Sequence, residues 1–195
     1  MKRILCAACL AVGASLASGA GSGRGVGRTV VFRPGRTEVV LADGAPGAAA
    51  FAASEATNFL SRVLGAAVPV VSRPTGRGFA SLVLGSNVWS VAAGAIPDGS
   101  VRDGFRIRAV GDRVCIVGND DDVDVPGLMR RGAHSARFRS GTLFGVYEFL
   151  ERFVGVRFYF PGEMGTVVPR SGRIAASGDI SVKPAFTVRD CCISS

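Results

Sequence analysis

The sequence predicts a two-layer α+β domain in which two principal helices pack on a mixed β-sheet. Residues 46–64 and 141–154 each carry apolar side chains at the period of one helix face. Short β-branched runs alternate with these helices, which favours parallel strand pairing. The runs 105–109 and 114–117 flank a two-residue Gly111-Asp112 turn, which adds an antiparallel hairpin. The predicted sheet is therefore mixed.

The first twenty residues have the pattern of an export signal. Lys2 and Arg3 precede an apolar run over residues 4–16, and small residues at 18–20 form a cleavage signal. The run is too short and too glycine-broken to predict a membrane span. We therefore predict a secreted or periplasmic protein with no membrane association after cleavage, and a lipoprotein attached through Cys9 is the alternative. We expect residues 21–28, which are rich in glycine, to form a flexible lead-in.

The first half of the domain alternates strands with helices. The first long helix spans residues 46–64 and ends at Gly65, a residue type favoured where a helix stops. A shorter helix at 87–93 carries Trp89, the one tryptophan. The predicted strands are 29–33, 37–41, 68–72 and 81–84. The predicted inner face of the first helix comprises Ala52, Ala56, Phe59, Leu60 and Val63.

The second half is built around the second long helix. Ser140 is the expected N-cap, Glu148 and Arg152 form a favourable i,i+4 pair, and Gly155 ends the helix. The polar stretch 118–139 before it predicts a functional or mobile loop. A strand at 156–160 follows, and shorter extended segments at 166–168, 173–175 and 180–183 complete the domain. The helix face comprises Leu143, Val146, Tyr147, Leu150, Phe153 and Val154.

Neither a metal site nor a cofactor site is predicted. Only Cys115, Cys191 and Cys192 remain after the leader, and His134 is the one histidine, so no zinc spacing or nucleophile–histidine arrangement forms. Alternate aspartates at 120, 122 and 124 match the start of a calcium loop. However, valine stands where that loop needs glycine and arginine where it needs the closing glutamate.

The net charge of +8 comes from dispersed arginines. Only Lys2 and Lys183 are lysines among the 23 basic residues. The densest arginine group, at 130–139, has no interleaved aromatic platform, so a nucleic-acid partner is not predicted. An acidic polysaccharide is the better match to this charge in an exported protein. A solvated loop without a partner also explains it.

Residues 141–165, GTLFGVYEFLERFVGVRFYFPGEMG, carry a family resemblance. Together with LVLG at 82–85, DGFRI at 103–107 and PAF at 184–186, they resemble the N-terminal domain of bacterial α-glucuronidases and related exported proteins. That domain is similar to the one ahead of the barrel in β-hexosaminidases. The resemblance spans residues 29–189. It implies a non-catalytic accessory domain that packs against a catalytic barrel absent from this chain, with residues 190–195 as a truncated link.

Two groups of residues are candidates for binding. The resemblance makes Phe144, Phe158 and Tyr159 candidate aromatics at the interface with a barrel. In the alternative, a free-standing secreted carbohydrate-binding module, Trp89 or Tyr159 would stack on sugars beside Arg137 and Arg139.

An autonomous enzyme is the third hypothesis. Glycoside hydrolysis needs two facing carboxyl groups, and the sequence offers no persuasive pair. We expect Glu148 and Glu151 on the polar side of a helix and Glu163 in a turn. No catalytic residue is therefore assigned, and in the favoured hypothesis the glycosidase chemistry belongs to the barrel.

Overall fold

A computed structural model describes residues 29–97, 101–131 and 138–185 of the protein. The predicted leader and lead-in, His134, Arg137, the two C-terminal cysteines and the link 190–195 lie outside these residues. Within the described ranges, no helix is both long enough and apolar enough to cross a membrane.

The predicted mixed sheet is confirmed and has six strands. Its strands are β2 (Thr37–Leu41), β3 (Val70–Val71), β4 (Ala80–Leu84), β5 (Phe105–Val110), β6 (Arg113–Gly118) and β10 (Asp179–Val182). The strand order is β10-β5-β6-β4-β2-β3. The three pairings of β2 with β3, β2 with β4, and β4 with β6 are parallel, whereas β5 pairs antiparallel with both β6 and β10.

Two small antiparallel sheets flank the main one. In the first, β1 (Val30–Phe32) pairs with β9 (Ile174–Ala176). In the second, β7 (Arg157–Phe158) pairs with β8 (Thr166–Val167), so the predicted strand at 156–160 is shortened to two residues. The chain between β7 and β8 turns through a 3₁₀ segment, Glu163–Gly165.

The two predicted principal helices are confirmed. Helix α1 spans Gly47–Leu64 and ends at Gly65, whose φ of 65° places it in the left-handed region that favours glycine. Helix α4 spans Gly141–Phe149 and continues as a π-helical turn, Leu150–Val154, before Gly155. Both helices contribute to the main core on one face of the sheet. All five residues predicted for the inner face of α1 are buried.

Glycine allows α4 to lie directly on the sheet. A Cβ on Gly145 would come 2.5 Å from Cγ2 of Ile116 in β6. A Cβ on Gly118 would come 2.2 Å from the backbone carbon of Gly141. Real Cβ atoms do not approach other atoms so closely, because dense packing leaves no room for the overlap. Side chains at these positions would therefore push the helix away from β6.

The other face of the sheet has a smaller apolar cluster. Trp89, on α2 (Val88–Ala92), packs there against a group of fully buried side chains. Glu38 is also fully buried on β2, and its carboxylate accepts hydrogen bonds from Ser81 Oγ at 2.7 Å and the Thr75 backbone N–H at 2.9 Å. The fully or nearly fully buried members of the cluster are Val40, Val83, Ala95, Cys115 and Val117.

The stretch 118–139, which the sequence predicts as a functional or mobile loop, is partly helical in the residues that the structure describes. It contains a short helix, α3 (Val125–Arg130), whose N-cap Asp124 accepts a hydrogen bond from the Gly127 backbone N–H at 3.1 Å. Val125 and Phe138 are buried in a third cluster with Ala48 of α1. Part of this stretch is therefore tied to α1 by apolar packing.

Candidate functional site

An exposed apolar surface lies on the β7–β8 turn. It is formed by Tyr159 (64% exposed), Phe160 (56%), Met164 (92%) and Val167 (52%), which we call the apolar turn. Large apolar side chains exposed next to one another mark interaction surfaces more often than isolated ones do. Of the three predicted interface aromatics, the structure places Tyr159 on this surface.

The backbone of the apolar turn is tightly folded. The Tyr159 N–H donates to the Gly165 carbonyl at 2.8 Å, and Gly165 N–H donates to the Gly162 carbonyl at 3.2 Å. The Thr166 hydroxyl donates to the same Gly162 carbonyl at 3.1 Å. A Cβ on Gly165 would lie only 2.0 Å from Phe160 O, so this turn requires glycine there. The exposed side chains are thus held on a defined scaffold, which lowers the entropy lost on binding.

Phe158 anchors the apolar turn to the domain. Its ring meets Phe59 of α1 and Tyr147 of α4 edge-to-face, each with a centroid distance of 5.4 Å. The side chain is half-buried and packs against the main core. Phe158 therefore holds the apolar turn on the two principal helices, while its exposed neighbours remain accessible.

A polar pair lies beside this aromatic anchor. The Tyr147 hydroxyl donates to Glu55 Oε2 at 3.0 Å. Burial raises the pKa of the Glu55 carboxyl, and the hydrogen bond from Tyr147 offsets part of that rise. Burial, with the nearby Glu55 carboxylate, also raises the pKa of the Tyr147 hydroxyl. This pair links α1 and α4.

The other predicted binding residues that the structure describes, Phe144, Trp89 and Arg139, are separated from the apolar turn in the sequence. Phe144 is half-buried and packs against the main core. Trp89 is half-buried on the opposite face of the sheet, against the second cluster. Arg139 binds Asp121 through its backbone N–H (2.7 Å) and its Nε (2.8 Å), which holds the pKa of that carboxyl below its usual value.

The three alternate aspartates bind three different parts of the fold. Asp120 Oδ1 accepts from the Thr142 N–H of α4 at 3.0 Å. Asp122 Oδ1 accepts from the Gly47 N–H of α1 at 3.0 Å. Asp124 caps α3, so each aspartate serves the first turn of a different helix. Among the residues that the structure describes, no three acidic, histidine or cysteine side chains form a metal-binding group.

One of these contacts corrects the predicted cap of α4. Ser140 occupies the N-cap position, but its side chain makes no capping hydrogen bond, and its buried Oγ has no hydrogen-bond partner. Asp120, twenty-two residues before Thr142, supplies the acceptor instead. Burial raises the pKa of the Asp120 carboxyl, and the two hydrogen bonds from Thr142 oppose that rise. Local sequence reasoning missed this cap because the acceptor comes from another segment.

The three glutamates considered for catalysis, Glu148, Glu151 and Glu163, differ in their burial and in their partners. Glu148 pairs with Arg152 at 2.6 Å, as the i,i+4 spacing predicts. Glu151 is half-buried on the adjoining π-helical turn, and burial raises its pKa. Glu163 is exposed in the 3₁₀ segment beside Met164.

Sequence reasoning does not identify three members of the apolar turn, Phe160, Met164 and Val167, as candidates for binding. Phe160 lies in the predicted strand, Met164 in the family pattern and Val167 in a predicted extended segment, and none of these patterns assigns a binding role. The sequence pattern that could have identified these residues is the density of large apolar side chains on both sides of Pro161-Gly162. This dipeptide favours a turn, and turns lie at the surface.

Comparison with known structures finds a similar fold in part of a glycoside hydrolase. The chain is similar to a family GH115 4-O-methyl-α-glucuronidase with specificity for decorated arabinogalactans (TM-score 0.52, 14% identity), over 78% of this chain and 18% of that one. The β-N-acetylhexosaminidase of Streptomyces coelicolor A3(2) gives a TM-score of 0.43 at 16% identity, over 83% and 25% of the two chains. A Streptomyces plicatus β-hexosaminidase mutant with bound GlcNAc gives 0.42 at 15% identity, with the same coverage.

No protein-family model and no curated protein matches the sequence. The matched part of this chain spans about a fifth of the length of the glucuronidase. At this identity the likeness shows a fold shared with a part of a glycoside hydrolase.

Proposed function

We propose that this chain is a non-catalytic N-terminal accessory domain of an exported carbohydrate-active protein and packs against a catalytic barrel. The observation that carries the proposal is the unequal coverage of the glucuronidase match. Most of this chain, 78%, corresponds to only 18% of the 4-O-methyl-α-glucuronidase. A fold of this kind thus occurs as a minor part of a much larger glycosidase. The leader-like residues 1–20 support export of the chain.

In this proposal the apolar turn is the surface that meets the barrel. Its four side chains are between 52% and 92% exposed, and burying them would release water from apolar surface. The two aromatic rings are of the residue types that are enriched in the centres of protein interfaces. The turn is attached to α1 and α4 through Phe158, so docking would engage a rigid part of the domain.

The positions of the carboxylates fit an accessory role. Glu38, Asp120 and Asp122 each accept backbone hydrogen bonds from other segments. Asp179 binds Arg106 Nε at 2.8 Å, and that contact lowers the pKa of its carboxyl. These groups have structural tasks in the fold, and the chemistry is proposed to reside in the barrel.

Reading the genomic locus through codon 195, in all frames, tests the proposal. We expect a downstream coding region for a glycosidase barrel with acidic residues at the ends of its strands. A locus with no such region beyond this chain would overturn the accessory role. The free-standing carbohydrate-binding module would then become the leading hypothesis.

A further inference from the structure

A groove lies between the first half of α1 and the chain segment that enters α3. Its volume is about 460 Å³, which falls within the range of about 300–1,000 Å³ typical of small-ligand sites. Phe51 and Pro126 supply apolar lining, and Ser54, Asp122 and Asp124 supply polar lining. The combination of an aromatic ring with several oxygen acceptors is suited to a ligand that has both C–H faces and hydroxyl groups.

The groove is held open by the fold. The Gly47 N–H donates to Asp122 Oδ1 at 3.0 Å, and the Ala48 N–H donates to the Asp121 carbonyl at 3.2 Å. A Cβ on Gly47 would lie 2.3 Å from Val123 O, so the segment passes directly against α1. Beneath it, Ala48 and Val125 are fully buried. These contacts fix both walls before any ligand arrives.

The polar groups retain capacity to accept hydrogen bonds. Each of Asp122 and Asp124 uses Oδ1 for one backbone N–H, and a carboxylate offers roughly four acceptor sites. Both side chains are exposed. Ser54 donates its hydroxyl proton to the Phe51 carbonyl at 2.7 Å, so its oxygen is oriented as an acceptor. The groove therefore favours ligands that donate hydrogen bonds.

We propose that this groove binds a neutral, hydroxyl-rich sugar unit of a glycan. Sugar hydroxyls donate to Asp122 and Asp124, while an apolar face of the sugar ring packs on Phe51. Two carboxylates face the groove, and Arg130 Nη2 lies 3.9 Å from Asp124 Oδ2. Because these two carboxylates would repel the carboxylate of a uronate, we expect the groove to favour neutral sugars over acidic ones. This binding does not require a barrel and goes beyond the proposed docking role.

Titration of the whole folded chain, followed by amide NMR, tests the proposal. The probes are xylobiose and cellobiose, with D-glucuronic acid as the acidic comparison, each added to about 10 mM because single-site sugar binding is weak. We expect either neutral disaccharide to shift the amides of Gly47, Ser54 and Val125, and glucuronic acid to leave them unchanged. If neither neutral disaccharide shifts these amides, or if only glucuronic acid does, the proposal is wrong.

Matched variants locate the binding. Ala50 is exposed and lines the groove, so Ala50→Phe fills it from the surface and should weaken binding at least about tenfold. Asn58→Phe places the same ring at an exposed position two turns further along α1, outside the groove lining, and should leave binding unchanged. Asp122→Asn keeps an oxygen for Gly47 but removes the charge, and should also weaken binding. Binding by Ala50→Phe and Asp122→Asn equal to that of the parent would overturn the assignment.

Discussion

Asp122 accepts a hydrogen bond from the backbone N–H of Gly47 at 3.0 Å, across 75 residues of sequence. The residue before Gly47 is Pro46, which has no side-chain acceptor with which to cap the helix. The first turn of α1 therefore obtains its acceptor from the segment that leads into α3. The same segment serves α4 through Asp120, so it joins the starts of the two principal helices.

Replacing Asp122 by alanine should reduce the free energy of unfolding by about 1 kcal/mol, the usual loss when a helix cap is removed. Asp122→Asn should retain most of the stability, because its amide oxygen can still accept from Gly47. Urea denaturation followed by circular dichroism measures both effects. Asp43→Ala, at an exposed turn position before α1, is the control. Equal midpoints for Asp122→Ala and the control would contradict the capping role.

Gly145→Ala should destabilise the domain by about 1–3 kcal/mol, the usual result of overpacking a core. Alanine is the better helix former by about 1 kcal/mol, so helix propensity alone predicts the opposite sign. The added Cβ would come 2.5 Å from Ile116, which forces α4 away from the sheet. Thermal unfolding distinguishes the two outcomes. Gly172→Ala, where a Cβ meets nothing within 4 Å, should have a small effect. A rise in melting temperature for Gly145→Ala would refute the close approach.

Phe158→Ala should lower the free energy of unfolding by about 2 kcal/mol, less than for a fully buried ring because Phe158 is half-buried. The loss includes two edge-to-face contacts, with Phe59 and Tyr147. Phe160→Ala removes a ring that is 56% exposed and should change stability by less than about 0.5 kcal/mol. Chemical denaturation of the two variants side by side measures the difference. If Phe160→Ala proves the more destabilising, the anchor has been misassigned.

Glu55→Gln should stabilise the domain at neutral pH. Burial raises the folded-state pKa of Glu55 above its ordinary value of 4.5, so the folded state holds this proton more tightly. The associated stability is present below that ordinary value and is lost as pH rises through the folded-state pKa. Glutamine stays neutral and can still accept from Tyr147, so its advantage should appear at about pH 7 and vanish at about pH 4.

Urea midpoints at the two pH values measure this effect. Glu148→Gln is the control, since Glu148 pairs with Arg152 and should show no gain at neutral pH. A Glu55→Gln variant less stable than the parent at neutral pH would show that the Tyr147 hydrogen bond outweighs burial.

The sequence predicted the elements whose signals are local. The period of Ala52, Ala56, Phe59, Leu60 and Val63 specifies a helix face, and burial on that face follows directly. The Gly111-Asp112 turn fixes the β5–β6 hairpin because Gly111 has a φ of 64° at the first turn position. Both signals depend on residues close together in the chain.

What sequence reasoning missed depends on contacts between distant segments. Asp120 and Asp122 resemble a calcium loop when read alone, and only the folded chain brings them to Thr142 and Gly47. Helix α3 has six residues, too few to show a hydrophobic period. The groove beside Phe51 has no sequence signal at all, because its two walls come from segments about seventy residues apart.

Isothermal titration calorimetry of this chain with the catalytic barrel that the proposal expects downstream tests the central claim most directly. The account predicts binding of the parent, at least about tenfold weaker binding of Met164→Asp, and unchanged binding of Val91→Asp. Val91 is 53% exposed on α2, outside the apolar turn, and is the matched control. No association of the parent, or equal binding by Met164→Asp, would contradict docking through the apolar turn.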